Sequence, residues 1–203
     1  MLEKYASKEG YTQFCTLLVD LLNYGAASQE YTDYKIDALV NASLTEAQKA
    51  MGTSVMRDLS SVFNKEYETI SNPTIAWKGA TLKLEDSVAI RFTIETEDIS
   101  NMVATIRCGE QQWCIAHSEF VELGNNRYYV YFEGLNAAQM SDIVCATITR
   151  DDTAVSNTVA YSIESYAYSK LNSTDTSETL QNLLKAMMKY GDAAKAYLGS
   201  ISN

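Results

Sequence analysis

The stretch from Leu17 to Tyr31 returns in outline from Leu183 to Tyr197: Leu17 matches Leu183, Leu18 matches Leu184, Tyr24 matches Tyr190, Gly25 matches Gly191, Ala27 matches Ala193 and Tyr31 matches Tyr197. Each copy sits in a segment whose apolar residues recur at steps of three and four. Over 12 to 29 these are Phe14, Leu17, Leu18, Leu21, Leu22 and Gly25; from about Ser177 they are Leu180, Leu183, Leu184, Met187, Met188 and Gly191. Such spacing predicts two amphipathic helices, one near each end of the chain. Glycine inside a helix costs about 1 kcal/mol relative to alanine, so a Tyr-Gly-x-Ala sequence in both copies needs a reason. The expected reason is close approach of the two helices through Gly25 and Gly191. The same residues admit another use, a ligand groove between the helices lined by Tyr24, Tyr31, Tyr190 and Tyr197.

Between the copies the texture changes. Thr45-Glu46-Ala47-Gln48 reads as a capping box opening a short helix that stops at Gly52, and another helical turn or two is expected around Val55 to Phe63. Pro73, the only proline, disfavours helix in the residue before it and marks the switch to strands. From 81 to 94, Leu82, Leu84, Val88, Ile90, Phe92 and Ile94 alternate with polar or small residues, broken by Glu85-Asp86-Ser87, which predicts two strands and a bend. A hairpin is expected from Met102 through Gly109-Glu110 to His117, and a second pair joins Phe120 to Leu123 with Arg127 to Phe132 across Gly124-Asn125-Asn126. Strands near 143 to 150 and 157 to 163, around the turn Asp151-Asp152-Thr153, bring the number to seven or eight. The expected fold class is α+β: an antiparallel β-sandwich flanked by N- and C-terminal helices that pack together. The expected organisation is a single module, helical over 1 to 72, sandwich over 73 to 164, helical again over 165 to 203.

Composition limits what such a chain can do. Sixteen basic residues against 26 acidic give a net charge of −10, which repels phosphate backbones, so nucleic acid is not an expected partner. No apolar run approaches the roughly 18 residues of a membrane span, so no membrane insertion is expected. Met1-Leu2-Glu3-Lys4 carries no hydrophobic leader, and an exported parent protein would supply its leader and neighbouring domains from other sequence. Cysteines 15, 108, 114 and 145 form no C-x-x-C pair and lack histidine partners, which argues against zinc and for reduced, structural thiols, although Cys108 and Cys114 flank a hairpin turn and a pairing across it is open. The single histidine, His117, has no nucleophile motif around it, and phosphate loops, H-E-x-x-H and EF-hand patterns are absent, so no catalytic residue, metal or cofactor is assigned.

What remains is aromatic surface. Sugars present C–H faces that stack on flat rings, and 14 tyrosines with two tryptophans supply rings. If Val130 and Phe132 face inward, Tyr129 and Tyr131 face outward. Trp113, kept in polar company by Gln111-Gln112, is expected near them, and Trp77 completes the candidate carbohydrate-binding set; a place in the core is the alternative for each tryptophan.

The run at 21 to 29, Leu82 to Phe92, Met140-Ser141-Asp142 and Met187 to Gly191 together resemble a helix and β-sandwich module of large secreted, often dockerin-bearing or wall-attached proteins of gut Firmicutes. Similar modules occur in the starch adherence proteins of Ruminococcus bromii amylosomes. The resemblance spans nearly the whole chain and rests mainly on core and helix-packing residues. It implies a secreted or cell-surface location and binding of starch or maltooligosaccharides without catalysis, and it matches no binding motif residue by residue. A structural or protein-interaction spacer is the rival reading. A small glycoside hydrolase, which needs only two suitably placed carboxylates, is the third.

Overall fold

In a computed structural model, which describes residues 11–60, 68–85 and 87–201, the chain is α+β and divides into two compact units. One gathers Met1–Ser61, Asn136–Met140 and Ala167–Asn203; the other comprises Val62–Leu135 and Ser141–Tyr166. Among the described residues, no helix is long and apolar enough to cross a membrane.

The helical unit is built on α1 (Thr12–Thr32) and α4 (Glu178–Ile201), which pack on each other. Phe14 meets Tyr197 and Tyr24 meets Tyr190, so contacts advance along one helix as they retreat along the other and the pair is antiparallel. The Tyr24 and Tyr190 rings stack on each other at 5.6 Å and 8°, so two of the four tyrosines of the expected groove are in mutual contact.

Three expectations for this unit need correction. The glycines do not face one another: a β-carbon at Gly25 would lie 2.9 Å from Val40 Cγ2, and one at Gly191 would lie 2.8 Å from Met140 Sδ and 3.1 Å from the Ala137 carbonyl. Each glycine admits a connecting segment against its own helix. The core face of α1 is also displaced: Cys15, Val19, Asp20, Ala26 and Ala27 are buried, while Leu21 is 41% exposed. Finally, α2 (Glu46–Lys49) has its capping box, with Thr45 Oγ1 accepting from Gln48 N–H and Gln48 Oε1 accepting from Thr45 N–H, but Val55 to Leu59 form no helix. That stretch is spent on tethers: Arg57 to Asp192 at 2.9 Å and, just before it, the Ser54 carbonyl to Lys189 Nζ at 3.0 Å. Residues 61 to 63 of the same expectation lie outside the described residues.

The strand unit holds nine strands among the described residues: β1 (Ala76–Leu84), β2 (Val88–Glu95), β3 (Met102–Cys108), β4 (Gln111–Ala116), β5 (Val121–Gly124), β6 (Arg127–Phe132), β7 (Val144–Arg150), β8 (Thr153–Ala154) and β9 (Val159–Tyr161). They form two antiparallel sheets, β1-β2-β6-β5 and β4-β3-β7-β8 with β9 also on β7. Ile90, Phe92, Ile94, Val130 and Phe132 from the first sheet and Met102, Ala104, Ile106, Val144, Ala146 and Ile148 from the second are buried, each such side chain contributing on the order of 1 to 3 kcal/mol. The glycine and asparagine turn signals are used as left-handed backbone, at Gly109 and at Gly124-Asn125-Asn126. None of the four cysteines forms a disulfide; Cys108 is paired with Gln111 and Cys114 with Thr105, so the two do not meet across the hairpin. After Ser162 the chain forms a helix the periodicity did not reveal, α3 (Ile163–Leu171), opened by Ser162 Oγ accepting from Ser165 N–H at 3.0 Å.

Candidate functional site

The four candidate aromatics do not form one platform. On β6, Tyr129 and Tyr131 turn away from buried Val130 and Phe132, as alternation requires, and stand together on the outer face with centroids 4.8 Å apart at 61°. Cations occupy this face: Lys83 Nζ lies 5.1 Å from the Tyr131 centroid and the Arg91 guanidinium 5.6 Å from that of Tyr129. Desolvation, and then Tyr131 beside it, push the Tyr129 hydroxyl above its ordinary pKa and keep it a proton donor.

Both tryptophans face the other way. Trp113 is opposite buried Ile106 in the β3–β4 ladder and packs on Phe132 at 4.7 Å, on the side of β6 opposite the two tyrosines. Gly134 closes over this pair so tightly that a β-carbon there would lie 2.6 Å from the Phe132 ring and 3.4 Å from that of Trp113. The expected neighbourhood of Trp113 with Tyr129 and Tyr131 is therefore replaced by a core contact. Trp77 is opposite Ile94 and meets Phe92 edge-on at 5.9 Å and 64°, and its indole N–H donates to the Asn157 carbonyl at 2.7 Å.

Trp77 nevertheless keeps access to solvent. With Pro73, Thr74, Ile75, Ala76 and Asn157 it lines a hollow of about 340 Å³. Thr74 and Ile75 belong at the same time to a larger cleft of about 520 Å³ at one end of the strand unit. The rest of that cleft comes from the loop after β2 (Glu95, Thr96, Glu97, Asp98), the β5–β6 turn (Asn125, Asn126) and the end of β7 (Arg150). Segments distant in sequence are fastened together here: Thr96 N–H donates to the Asn126 carbonyl at 2.8 Å, and Arg150 Nη2 donates to the Asp98 carbonyl at 2.6 Å.

Two carboxylates of the cleft, Glu95 and Asp98, have lowered pKa values. Glu95 accepts from Arg127 Nε at 3.1 Å and lies 3.2 Å from Lys78 Nζ, and these two bonds, Arg127's first, lower its pKa. Asp98 is lowered chiefly by its hydrogen bonds with Ser100 and further by Arg150 and His117. The cleft thus offers ionised acceptors, amides that both donate and accept, threonine hydroxyls and one guanidinium, beside an aromatic ring in the adjoining hollow. Sequence reasoning missed all of it except Trp77, because its residues are contributed by four separate stretches. The legible part was Asn125-Asn126, whose turn character was read without its surface role. Among the described residues no three of His, Cys, Asp and Glu converge as a metal site requires.

No protein-family model matches the chain, and no curated protein or solved structure shows significant similarity to it.

Proposed function

We propose that this chain is a non-catalytic carbohydrate-binding module of a secreted or cell-surface protein, with starch as the leading ligand, held at the end cleft and the adjoining Trp77 hollow. The observation that carries the reading is the continuity of the two through Thr74 and Ile75. A neutral sugar needs both of the things found there: a ring edge or face for its C–H surface, and convergent polar groups for its hydroxyls. The cleft is a better site for a neutral glucan than the Tyr129–Tyr131 pair, whose rings are steeply inclined and already approached by cations. Starch itself enters from the resemblance of the sequence to amylosome modules. A single open site of this kind binds weakly, and neighbouring modules in a longer protein would raise the avidity through effective concentration.

The glycosidase reading finds less support. A glycosidase acid must keep its proton near neutral pH, whereas Glu95 and Asp98 are both shifted the opposite way. The spacer reading keeps one specific observation in its favour, the use of Trp77's indole N–H and of Trp113's ring in internal contacts.

Affinity electrophoresis in gels with amylopectin, with pullulan, xylan and a cellulose derivative as controls, tests the proposal. The expected result is retardation by amylopectin that Asn126→Gly and Glu97→Gln weaken. Asn126 has φ 58, which glycine adopts freely, so that variant removes the amide without straining the turn. Unchanged mobility in every gel would transfer the assignment to the spacer.

A further inference from the structure

Five described cations of the strand unit each have a carboxylate at 4.0 Å or less: Lys78 and Arg127 share Glu95, Lys83 has Glu85, Arg107 has Glu68 and Arg150 has Asp98. Arg91 has none among the described residues, in a chain where 26 acidic residues outnumber 16 basic ones. Its place is not peripheral. β2 is an inner strand of the first sheet, and in register Arg91 lies between Thr81 on β1 and Tyr131 on β6, on the outer face. The guanidinium lies over Tyr129, and its Nε is buried without a hydrogen-bond acceptor. Thr93, opposite Tyr129, shares the face, and Lys83, paired with Glu85, stands over Tyr131.

A guanidinium resting on a ring presents a planar fork of N–H donors whose geometry matches a carboxylate, and the phenol and threonine hydroxyls around it suit the hydroxyls of a sugar. From this arrangement we infer that the outer face of the first sheet binds a uronate-bearing polysaccharide, Arg91 taking the sugar carboxylate and Tyr129, Tyr131, Thr81 and Thr93 taking neighbouring hydroxyls. This rests on the proposed polysaccharide-binding function and adds to it a second face and an acidic class of sugar. The charge of Arg91 complements such a ligand locally, although the chain as a whole opposes it at −10.

That opposition makes the test informative, since a polyanion in the gel repels the protein unless a specific site holds it. Native gels in calcium-free buffer would contain polygalacturonate, its methyl ester, poly-L-glutamate or amylopectin. Retardation is expected with polygalacturonate and not with the methyl ester or poly-L-glutamate. Arg91→Gln should weaken it at least fivefold, Arg91→Lys less, and Tyr131→Phe by a smaller factor. Absence of retardation, or retardation that Arg91→Gln leaves intact, overturns the inference. Equal retardation by the methyl ester overturns the role of the carboxylate, and equal retardation by poly-L-glutamate reassigns the face to acidic proteins. Amylopectin retardation sensitive to Asn126→Gly but without any polygalacturonate effect keeps the cleft proposal and removes this one. If Arg91→Gln does not fold, ligand-induced shifts of the Tyr129 and Tyr131 ring resonances in the unsubstituted chain decide the same point: their absence overturns the inference.

Discussion

Helices α1 and α4 carry the same Tyr-Gly-x-Ala sequence and use it half alike. The tyrosines do one job together, stacking at 5.6 Å where the helices cross. The glycines do separate jobs: Gly25 receives the side chain of Val40 from the loop after α1, and Gly191 receives Met140 and the Ala137 carbonyl from the segment after β6. What the two copies share is a need for an open helix surface one residue beyond the stacked ring. What differs is the stiffness of the visitor. Val40 is 49% exposed and can turn aside, whereas Met140 is buried and the Ala137 carbonyl is backbone.

Substitutions at the two glycines break the equivalence most strongly. Gly191→Leu forces the 137 to 140 segment off α4 and should cost about 3 kcal/mol or more, against roughly half that for Gly25→Leu. The alanine pair separates the cases without large side chains: Gly191→Ala should destabilise by about 1 to 2 kcal/mol, while Gly25→Ala should be near neutral because the helix-propensity gain of about 1 kcal/mol offsets the displacement of Val40. Denaturant titration of the four variants reads these differences. Equal losses at both positions would mean that the glycines serve the helix crossing after all.

The second difference between the helices is how they hold the 51 to 57 loop. Asp20 of α1, where α4 has Ala186, is 1% exposed and accepts from Thr53 N–H at 3.0 Å and from Thr53 Oγ1 at 2.6 Å. On α4 the same loop is held from outside, by Asp192 with Arg57 and by Lys189 with the Ser54 carbonyl. Asp20→Ala leaves a partly buried N–H and hydroxyl without their acceptor and should cost about 2 kcal/mol. Asp192→Ala removes an exposed ion pair and should cost less than about 1 kcal/mol. Comparable losses from the two would show that burial is not what makes the α1 tether matter.

The halves of the molecule were unequally legible in sequence. Helix ends and hairpins followed from local chemistry, as at Thr45 with Gln48 and at Gly124-Asn125-Asn126. Facing directions failed wherever a local irregularity intervened. Counting by twos back from buried Leu82 puts Lys78 inside and Trp77 outside, but the bulge between Trp77 and Gly79 adds a residue and turns the indole inward. Gly79, at φ 147, was the available sign of it. Helix α3 was hidden because apolar Val159 to Ile163 reads as continuing strand; Ser162-Ile163-Glu164-Ser165, with a capping serine and an acid in the first turn, was the counter-signal. Beyond the Asn125-Asn126 turn, the end cleft had no sequence signature, since what joins Thr74, Glu95, Asn126 and Arg150 is sheet topology.

The smallest expected effect lies within the shared feature itself. Burial first, and Tyr190 second, raise the Tyr24 phenol above its ordinary value of 10.0. A raised pKa in the folded chain means that the unfolded chain releases this proton at lower pH. The contribution to stability is therefore whole below pH 10 and is lost as pH rises through the folded value. Tyr24→Phe keeps the stacked ring and has no proton to lose, so its stability should fall less steeply above about pH 10. Tyr190→Phe removes only the lesser cause and should leave most of the alkaline slope in place. Parallel pH profiles for the unsubstituted chain and Tyr24→Phe would show that the stacked pair is solvated enough to titrate as free tyrosine, and the crossing point of the two helices would then be a wet contact rather than a packed one.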